Sequence, residues 1–174
     1  MIELTPYQEA EKWANRACLF AEFATVAFTA TAAFFPLSFA ALFIGIGAAA
    51  IVAQTGLTGY AAQKYYRAAL DSGVVDKKTA RVSAADSMIP VCLAIAAVTA
   101  LGATAGIGAL AVLSLWTGLT ATIPSLLGAG LAFTSGLHAV GLGAALVRGF
   151  ATMYDPNTRR QLATLRNHEA AKLG

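Results

Sequence analysis

Two long stretches without a charged residue constrain this chain more than any other feature. Residues 23–63 and 87–147 span 41 and 61 residues, and neither stretch contains Asp, Glu, Lys or Arg. Charged residues make up 12% of the chain, against about a quarter of an average soluble domain, whose helices and strands each need a wet face. Because only helices satisfy their own backbone within one segment in lipid, the sequence predicts an all-α membrane protein.

The length of the two stretches sets the number of membrane spans. A helix needs roughly 20 apolar residues to cross about 30 Å of hydrocarbon. The first stretch is broken at Pro36, because proline disfavours helix at the preceding residue, and the second is broken between Trp116 and Pro124. We therefore predict one membrane domain over residues 1–174, with spans at residues 17–35, 37–60, 88–113 and 124–147.

The basic residues predict the orientation of these spans. Segments 1–16, 61–87 and 148–174 would share one side, and they hold two, five and five Lys and Arg, whereas the opposite connections hold none. A third span in the second stretch would export the basic tail, against the positive-inside tendency. We predict two hairpins with both termini in the cytoplasm. The Ala- and Gly-rich composition points to a bacterial inner membrane.

Helix start signals predict ordered helices in the cytoplasmic segments. Thr5 is a good N-cap, Pro6 suits the first helical position, and Gln8 stands where a capping box needs it. Asp155 followed by Pro156 repeats the start signal ahead of a basic helical segment. The segment before the first span is also rich in Glu, so we expect that span to be retained rather than cleaved as a signal peptide.

The central cytoplasmic segment predicts a helix end followed by a short helix. The second span should continue as helix to about residue 70 and stop at Gly73, since glycine favours the conformation that ends a helix. Residues 76–85 are predicted to form a separate short helix. Asp86 or Ser87 is then expected to cap the third span, just before Pro90.

Small residues recur at four-residue spacing on the second, third and fourth spans. They are Gly45, Ala49 and Ala53; Gly102 and Gly106; Gly128, Ala132 and Gly136; and Gly141, Ala145 and Gly149. Such stripes let helix backbones approach closely, which is how helices associate in lipid. The sequence leaves two uses open for them, namely packing within the monomer and an outward-facing interface with another protein.

Four polar residues within or next to the spans are candidates for function. His138 lies near the middle of the fourth span, where an ionisable group is costly. It is either functional or a neutral imidazole bonded to a neighbouring helix. Glu22 lies about one turn inside the first span, and we expect it to pair with Arg148 or Arg16 or to bond Gln54.

Several classes of function are excluded by pattern. Cys18 and Cys92 lack any zinc-site spacing, and no second histidine accompanies His138 within the spans, so we expect no metal and no cofactor. The chain shows no nucleophile–base arrangement and no phosphate-binding loop, so we expect no enzyme. The net charge of +3 comes from basic residues that flank apolar runs, so we expect no nucleic-acid binding.

Three hypotheses about function remain, and we rank first the one that requires the fewest special features of the sequence. The leading one is a non-enzymatic membrane subunit or scaffold that assembles with itself or with other membrane proteins through small-residue faces. Its basic segments 64–81 and 159–172 would offer a cytoplasmic docking surface. The alternatives are an oligomeric channel or holin-like pore lined by Thr and Ser, including Thr99, and a small transporter with a midplane site near His138.

Overall fold

A computed structural model of the protein describes residues 4–31, 37–117, 141–150 and 155–173. These residues form helices and contain no strand, so the all-α prediction is confirmed for this part of the chain. The helices are α1 (Pro6–Thr31), α2 (Leu37–Asp71), α3 (Lys77–Thr117), α4 (Gly141–Phe150) and α5 (Pro156–Leu173).

The predicted helix starts are both confirmed. At the beginning of α1, the backbone N–H of Thr5 donates to Oε1 of Gln8 at 2.9 Å, and the N–H of Gln8 donates to Oγ1 of Thr5 at 3.2 Å. These two reciprocal bonds are the capping box. At the beginning of α5, Oδ1 of Asp155 accepts a bond of 3.0 Å from the N–H of Asn157. Local sequence therefore determines where both helices begin.

The turn between α2 and α3 follows the predicted helix stop. Gly73 has a φ of 69°, which glycine adopts without steric cost, and its N–H donates to the carbonyl of Leu70 at 3.0 Å. Three residues later Asp76 caps α3, where its Oδ1 accepts a bond of 2.7 Å from the N–H of Thr79. That bond holds the pKa of Asp76 below its ordinary value, because it favours the charged carboxylate.

The prediction of a separate short helix over residues 76–85 was wrong, because α3 runs without interruption through Pro90. Oγ of Ser87 donates to the carbonyl of Ser83, four residues earlier, at 3.0 Å. This bond belongs to a helix interior, so neither Asp86 nor Ser87 caps a span. Proline removes one backbone donor, the partner of the Asp86 carbonyl, and helices in lipid tolerate that loss when neighbouring groups compensate.

A stripe of alanines on α1 forms the centre of the bundle. Its members are buried: Ala10, Ala14, Ala17, Ala21 and Ala24. They follow one another at alternating steps of four and three residues, which is the period that keeps one helix face against its partners. Because each side chain is a single methyl group, the backbone of α1 approaches its neighbours closely. This stripe was not predicted, although its spacing is visible in the sequence.

The alanine stripe packs against α2 and α3, and the clusters it forms give the directions of the three helices. Near the start of α1, Ala10 and Ala14 cluster with Ala61 of α2 and Met88 of α3. Further along α1, the clustered residues are Ala17, Ala21, Leu57 and Ile95. The residue numbers fall along α2 and rise along α3, so α2 is antiparallel to both of the other helices.

Helix α5 covers the turn between α2 and α3. Its anchor is Leu165, which is 3% exposed. The residues clustered with it are Ala69, Val75 and Ala80. Oε1 of Gln161 accepts a bond of 3.0 Å from the N–H of Asp76, and Nζ of Lys78 lies 2.8 Å from Oδ2 of Asp155. The buried leucine and these two polar contacts therefore help to hold α5 in place.

The bundle is polar at one end and apolar along the rest of its described length. We call residues 4–16, 60–87 and 155–171 the charged head. Beyond the head, large apolar side chains face outward: Leu19, Phe20, Phe23, Val26, Leu42, Val52, Leu93, Leu101, Leu146, Val147 and Phe150. Within the described residues, Lys77–Leu101 of α3 is the one helical segment long and apolar enough to cross a membrane, and α4 is a shorter apolar helix. The outward apolar surface and this segment indicate membrane association.

Candidate functional site

The charged head joins α1 to α2 through a half-buried ion pair. Nζ of Lys64 lies 2.9 Å from Oε1 of Glu9 and donates a hydrogen bond to it. The bond from Lys64 lowers the pKa of Glu9, and the bond to Glu9 raises the pKa of Lys64. Each group thus stays charged over a wider range of pH than it would alone.

Aromatic and basic side chains alternate next to this ion pair, at the edge of the head. The rings of Trp13 and Tyr60 meet edge to face with centroids 5.0 Å apart. The guanidinium carbon of Arg16 lies 4.4 Å from the centre of the Trp13 ring. Trp and Tyr favour the boundary between lipid and water. Tyr60 is exposed at this edge, whereas Tyr65 is buried in the head, where its ring lies 6.1 Å from that of Tyr7.

A polar cleft of about 690 Å³ opens between α5 and the other helices of the head. Four helices contribute its walls: Thr5, Tyr7, Gln8 and Glu11; Tyr65; Ser83, Asp86 and Ser87; and Leu162, Leu165, Arg166, Glu169 and Ala170. Burial raises the pKa of Tyr7, and the charge of Glu169 acts in the same direction. Three carboxyl groups face one guanidinium in this cleft, which suits the binding of a polar or cationic group.

The described part of the head contains one histidine, His168, on α5. It contains no group of three or more His, Cys, Asp or Glu placed to hold a metal ion. Nδ1 of His168 lies 3.8 Å from Oε1 of Glu169, which exceeds the hydrogen-bond reach that a general base needs. His168 is not among the residues that line the polar cleft.

A second opening lies where α4 meets α3 and α2, and we call it the basic groove. It consists of two adjoining cavities of about 760 and 370 Å³ that share the residues Arg81, Ala85, Gly141, Ala145 and Arg148. Lys77 and Lys78 line the larger cavity, and apolar residues of α3 line the smaller one. The groove is therefore basic at one end and apolar at the other.

The groove follows from how α3 and α4 pack. Lys77, Lys78 and Arg81 occupy the first turns of α3, where positions i and i+4 share a helix face. On α4, a Cβ atom at Gly149 would lie 3.9 Å from Oδ1 of Asp86, so the two helices are close there. A Cβ at Gly141 would meet no atom within 4 Å, which leaves the groove open at that position.

The predicted small-residue stripes occupy different environments. On α2, Gly45 and Ala49 are exposed and Ala53 is half-buried. On α4, Gly141 is exposed, Ala145 is half-buried and Gly149 is buried. The α4 stripe thus lines the basic groove, while the first two residues of the α2 stripe face outward.

The predicted polar candidates are spread over the bundle. Glu22 is exposed and makes no ion pair with Arg16 or Arg148, both of which lie in the described part of the chain. Gln54 is fully buried, and its Nε2 donates to Oγ1 of Thr58 at 3.4 Å. Among the polar candidates that the structure describes, Arg148 lies in the basic groove beside Gly141, Ala145 and Gly149.

The remaining predictions fall where the structure gives no side-chain surroundings. His138, Gly128, Ala132 and Gly136 lie outside the described residues, and Gly102 and Gly106 belong to α3, but their surroundings are not described. The polar cleft was not predicted. Its walls come from four separate segments, so no spacing along the chain brings Glu11, Asp86 and Arg166 together.

Comparisons with known proteins add no assignment to this geometry. Models of protein families, curated proteins and solved structures were all compared with the chain, and none matched.

Proposed function

We propose that the protein is a non-enzymatic, integral membrane subunit or scaffold with four spans and a cytoplasmic head. It assembles through small-residue helix faces into a homo-oligomer or a larger membrane complex. The spans are those predicted at residues 17–35, 37–60, 88–113 and 124–147, with both termini in the cytoplasm. Charge placement along the sequence supports the four spans, since the charged head gathers most of the basic residues.

The main support for the proposal is the pattern of burial in the apolar part of the bundle, where large apolar side chains are exposed and polar side chains are buried. Val52 and Leu101 are 73% and 72% exposed, whereas Gln54 and Thr99 are buried. In the apolar window of Lys77–Leu101, 22% of residues are buried. The core helix of a soluble protein would be mostly buried, with its large side chains inward. Lipid removes the cost of exposing those side chains, so this surface suits a bilayer.

The outer face of α2 supports assembly with a further helix. Gly45, Ala49, Val52 and Gly56 follow one another at steps of four, three and four residues and are all exposed. A Cβ atom at Gly45 or Gly56 would meet nothing within 4 Å. A partner helix could therefore approach this face closely, as small-residue stripes allow in membranes.

Glu22 on α1 also supports assembly with a partner. Its carboxylate is exposed between Leu19 and Phe23, which face outward, and it forms no ion pair within the described residues. A carboxylate near the edge of the hydrocarbon is costly unless it reaches water or a partner. An interface that covers this side of α1 would supply such a partner.

The cytoplasmic docking surface would use basic segments 64–81 and 159–172. The two segments are adjacent, because Leu165 of α5 clusters with Ala80 of α3. Arg67, Arg159 and Arg160 are exposed on this surface. An acidic partner protein would be attracted to it.

The alternative of a pore receives less support from the described residues. Thr99, a predicted lumen residue, is 1% exposed, and its Oγ1 donates to the carbonyl of Ile95 at 2.8 Å. A hydroxyl that is buried and bonded to its own helix does not line a water-filled path. The subunit hypothesis is the one we retain.

Matched substitutions test the assembly face. We expect Ala49→Leu to lower the mass of the complex extracted in mild detergent, because the three added carbon atoms can be accommodated only if the facing helix moves away. Ala97 is an exposed alanine on α3, so Ala97→Leu makes the same change elsewhere and should leave the mass unchanged. The measurement is light scattering coupled to size exclusion.

Two results would count against the assembly. The first is a wild-type protein that is monomeric after mild extraction and brings no other membrane protein with it. The second is an equal loss of mass in both variants, which would mean that added bulk acts without regard to the α2 face.

A further inference from the structure

The basic groove combines cationic and apolar surface at one site. Four basic side chains, those of Lys77, Lys78, Arg81 and Arg148, line its larger cavity. The smaller cavity continues from it along apolar and small side chains: Ala84, Met88, Ile89, Cys92, Leu142 and Ala145. A ligand that fills both cavities therefore needs an anionic end and a hydrocarbon end.

The charge of the groove is only partly neutralised by the protein. Lys78 is paired with Asp155 at 2.8 Å, whereas Lys77 and Arg81 make no ion pair with any described residue. Residues 118–140 and 151–154, which precede and follow α4 in the sequence, contain no Asp or Glu. Oδ1 of Asp86 also lies beside α4, 3.9 Å from a Cβ built at Gly149, so the basic side chains that line the groove outnumber the two carboxylates of Asp155 and Asp86.

The groove lies at the depth of lipid headgroups in the proposed topology. Arg148 follows the last residue of the uncharged stretch 87–147. Arg81 precedes the start of that stretch by six residues, or about 9 Å along a helix. Leu146 and Val147 are 40% and 70% exposed on α4, so apolar surface beside the groove is open to lipid.

We infer that the basic groove binds one anionic phospholipid. Its phosphodiester lies at Lys77, Arg81 and Arg148, and one acyl chain lies along the apolar wall between α3 and α4. Arginine donates two parallel hydrogen bonds to phosphate, and basic pockets between membrane helices recognise anionic headgroups on the cytoplasmic side. The inference rests on the proposed membrane placement of α3 and α4.

Native mass spectrometry of the detergent-purified full chain tests the headgroup end. We expect phosphatidylglycerol to bind more tightly than phosphatidylcholine. Each basic side chain near the lipid surface contributes roughly fivefold in affinity. The double variant Lys77→Gln/Arg81→Gln should therefore weaken phosphatidylglycerol binding about 25-fold. The control Arg67→Gln/Arg160→Gln removes the same charge from exposed positions outside the groove and should leave binding unchanged.

A second variant tests the acyl end. A Cβ at Gly141 meets open space, so Gly141→Phe should fill the groove without disturbing the fold, which circular dichroism and thermal unfolding would verify. We expect this variant to lose phosphatidylglycerol binding. The inference is overturned if phosphatidylcholine binds as well as phosphatidylglycerol, or if both double variants weaken binding equally. It is also overturned if inorganic phosphate competes fully while Gly141→Phe has no effect, since the site would then take free phosphate.

These outcomes are separable from a failure of the proposed topology. Membrane placement is tested by labelling from each side of the membrane, with no reference to lipid class. A protein that spans the bilayer but binds both phospholipids equally would overturn the lipid site alone.

Discussion

At the scale of single residues, two kinds of side-chain contact hold the charged head together. Some join residues that are close in the sequence, and others join residues that only tertiary packing brings together. The capping box of Thr5 and Gln8 needs only a short segment of chain, and it was predicted. The bond from Lys64 to Glu9 joins residues 55 positions apart, so only the packing of α1 against α2 brings them together. The capping box could be predicted because its residues are close in the sequence, whereas the Glu9–Lys64 ion pair could not, because its residues are far apart.

The Glu9–Lys64 pair predicts a pH dependence with a definite sign. The pKa of Glu9 is lowered in the folded state, so its contribution to stability is present above its ordinary pKa and is lost as pH falls through the folded value. The pKa of Lys64 is raised, so its contribution is lost only as pH rises through that higher value. We expect Glu9→Gln to lower the unfolding midpoint at neutral pH but not in acid.

Thermal unfolding of wild type and Glu9→Gln at a series of pH values checks this prediction. Glu11 is exposed on the same helix and makes no ion pair with a described residue, so Glu11→Gln is the matched control. A gap between wild type and Glu9→Gln that persists unchanged in acid would contradict the account, as would an equal effect of Glu11→Gln.

At the scale of helices, the sequence predicted where helices begin and end better than it predicted whether a helix continues without interruption. Asp155 marks the start of α5 and Gly73 follows the end of α2, because capping chemistry is local. The continuity of α3 through Pro90 was not predicted. Proline removes one backbone hydrogen bond from the helix, and the tertiary packing that offsets this loss cannot be read from a short segment of sequence. The helices themselves were predictable from two uncharged stretches that are too long and too apolar for strands.

Candidate sites were less predictable than helices. Arg148 was a candidate from the sequence, but its neighbours Lys77 and Arg81 were assigned only to a general basic segment. They join Arg148 because α4 packs against the start of α3. The alanine stripe of α1 was not predicted although its spacing is present in the sequence, and the stripes that were predicted lie on other helices.

The alanine stripe predicts that added bulk on α1 destabilises the bundle. Ala17 is fully buried between α2 and α3, so Ala17→Leu should cost about 1–3 kcal/mol in unfolding free energy, because a close-packed seam cannot accept three more carbon atoms without strain. Denaturant unfolding in detergent measures the loss. Ala97→Leu places the same bulk on the exposed face of α3 and should be nearly neutral.

Leu165 is the buried apolar anchor of α5. Leu165 is 3% exposed and packs on the turn between α2 and α3. Leu165→Ala should weaken the docking by about 2–5 kcal/mol, from lost burial and the cavity left behind. We expect hydrogen exchange to accelerate in residues 156–173 with little change in α1. Leu4→Ala removes a leucine that is 47% exposed, and acceleration of α5 in that control would contradict the assignment of Leu165 as the anchor.

At the scale of the whole molecule, the chain divides into a charged head and an apolar bundle whose large side chains face outward. This division is what two uncharged stretches and three basic segments predicted, and the described residues show it in the exposure of Val52, Leu101 and Phe150. It also explains why both candidate sites lie at one end. The charged residues of the polar cleft and of the basic groove lie outside the two uncharged stretches, whereas most of the apolar wall of the groove belongs to the second stretch.

Labelling with a membrane-impermeant thiol reagent tests the central claim of four spans with both termini inside. Single cysteines would replace Arg67, Thr120 and Arg160 in a background with Cys18→Ser and Cys92→Ser. The account predicts that Thr120→Cys reacts in intact cells, and that Arg67→Cys and Arg160→Cys react only after the membrane is permeabilised. Reaction of Arg67→Cys and Arg160→Cys from opposite sides, or of all three from the same side, would contradict it.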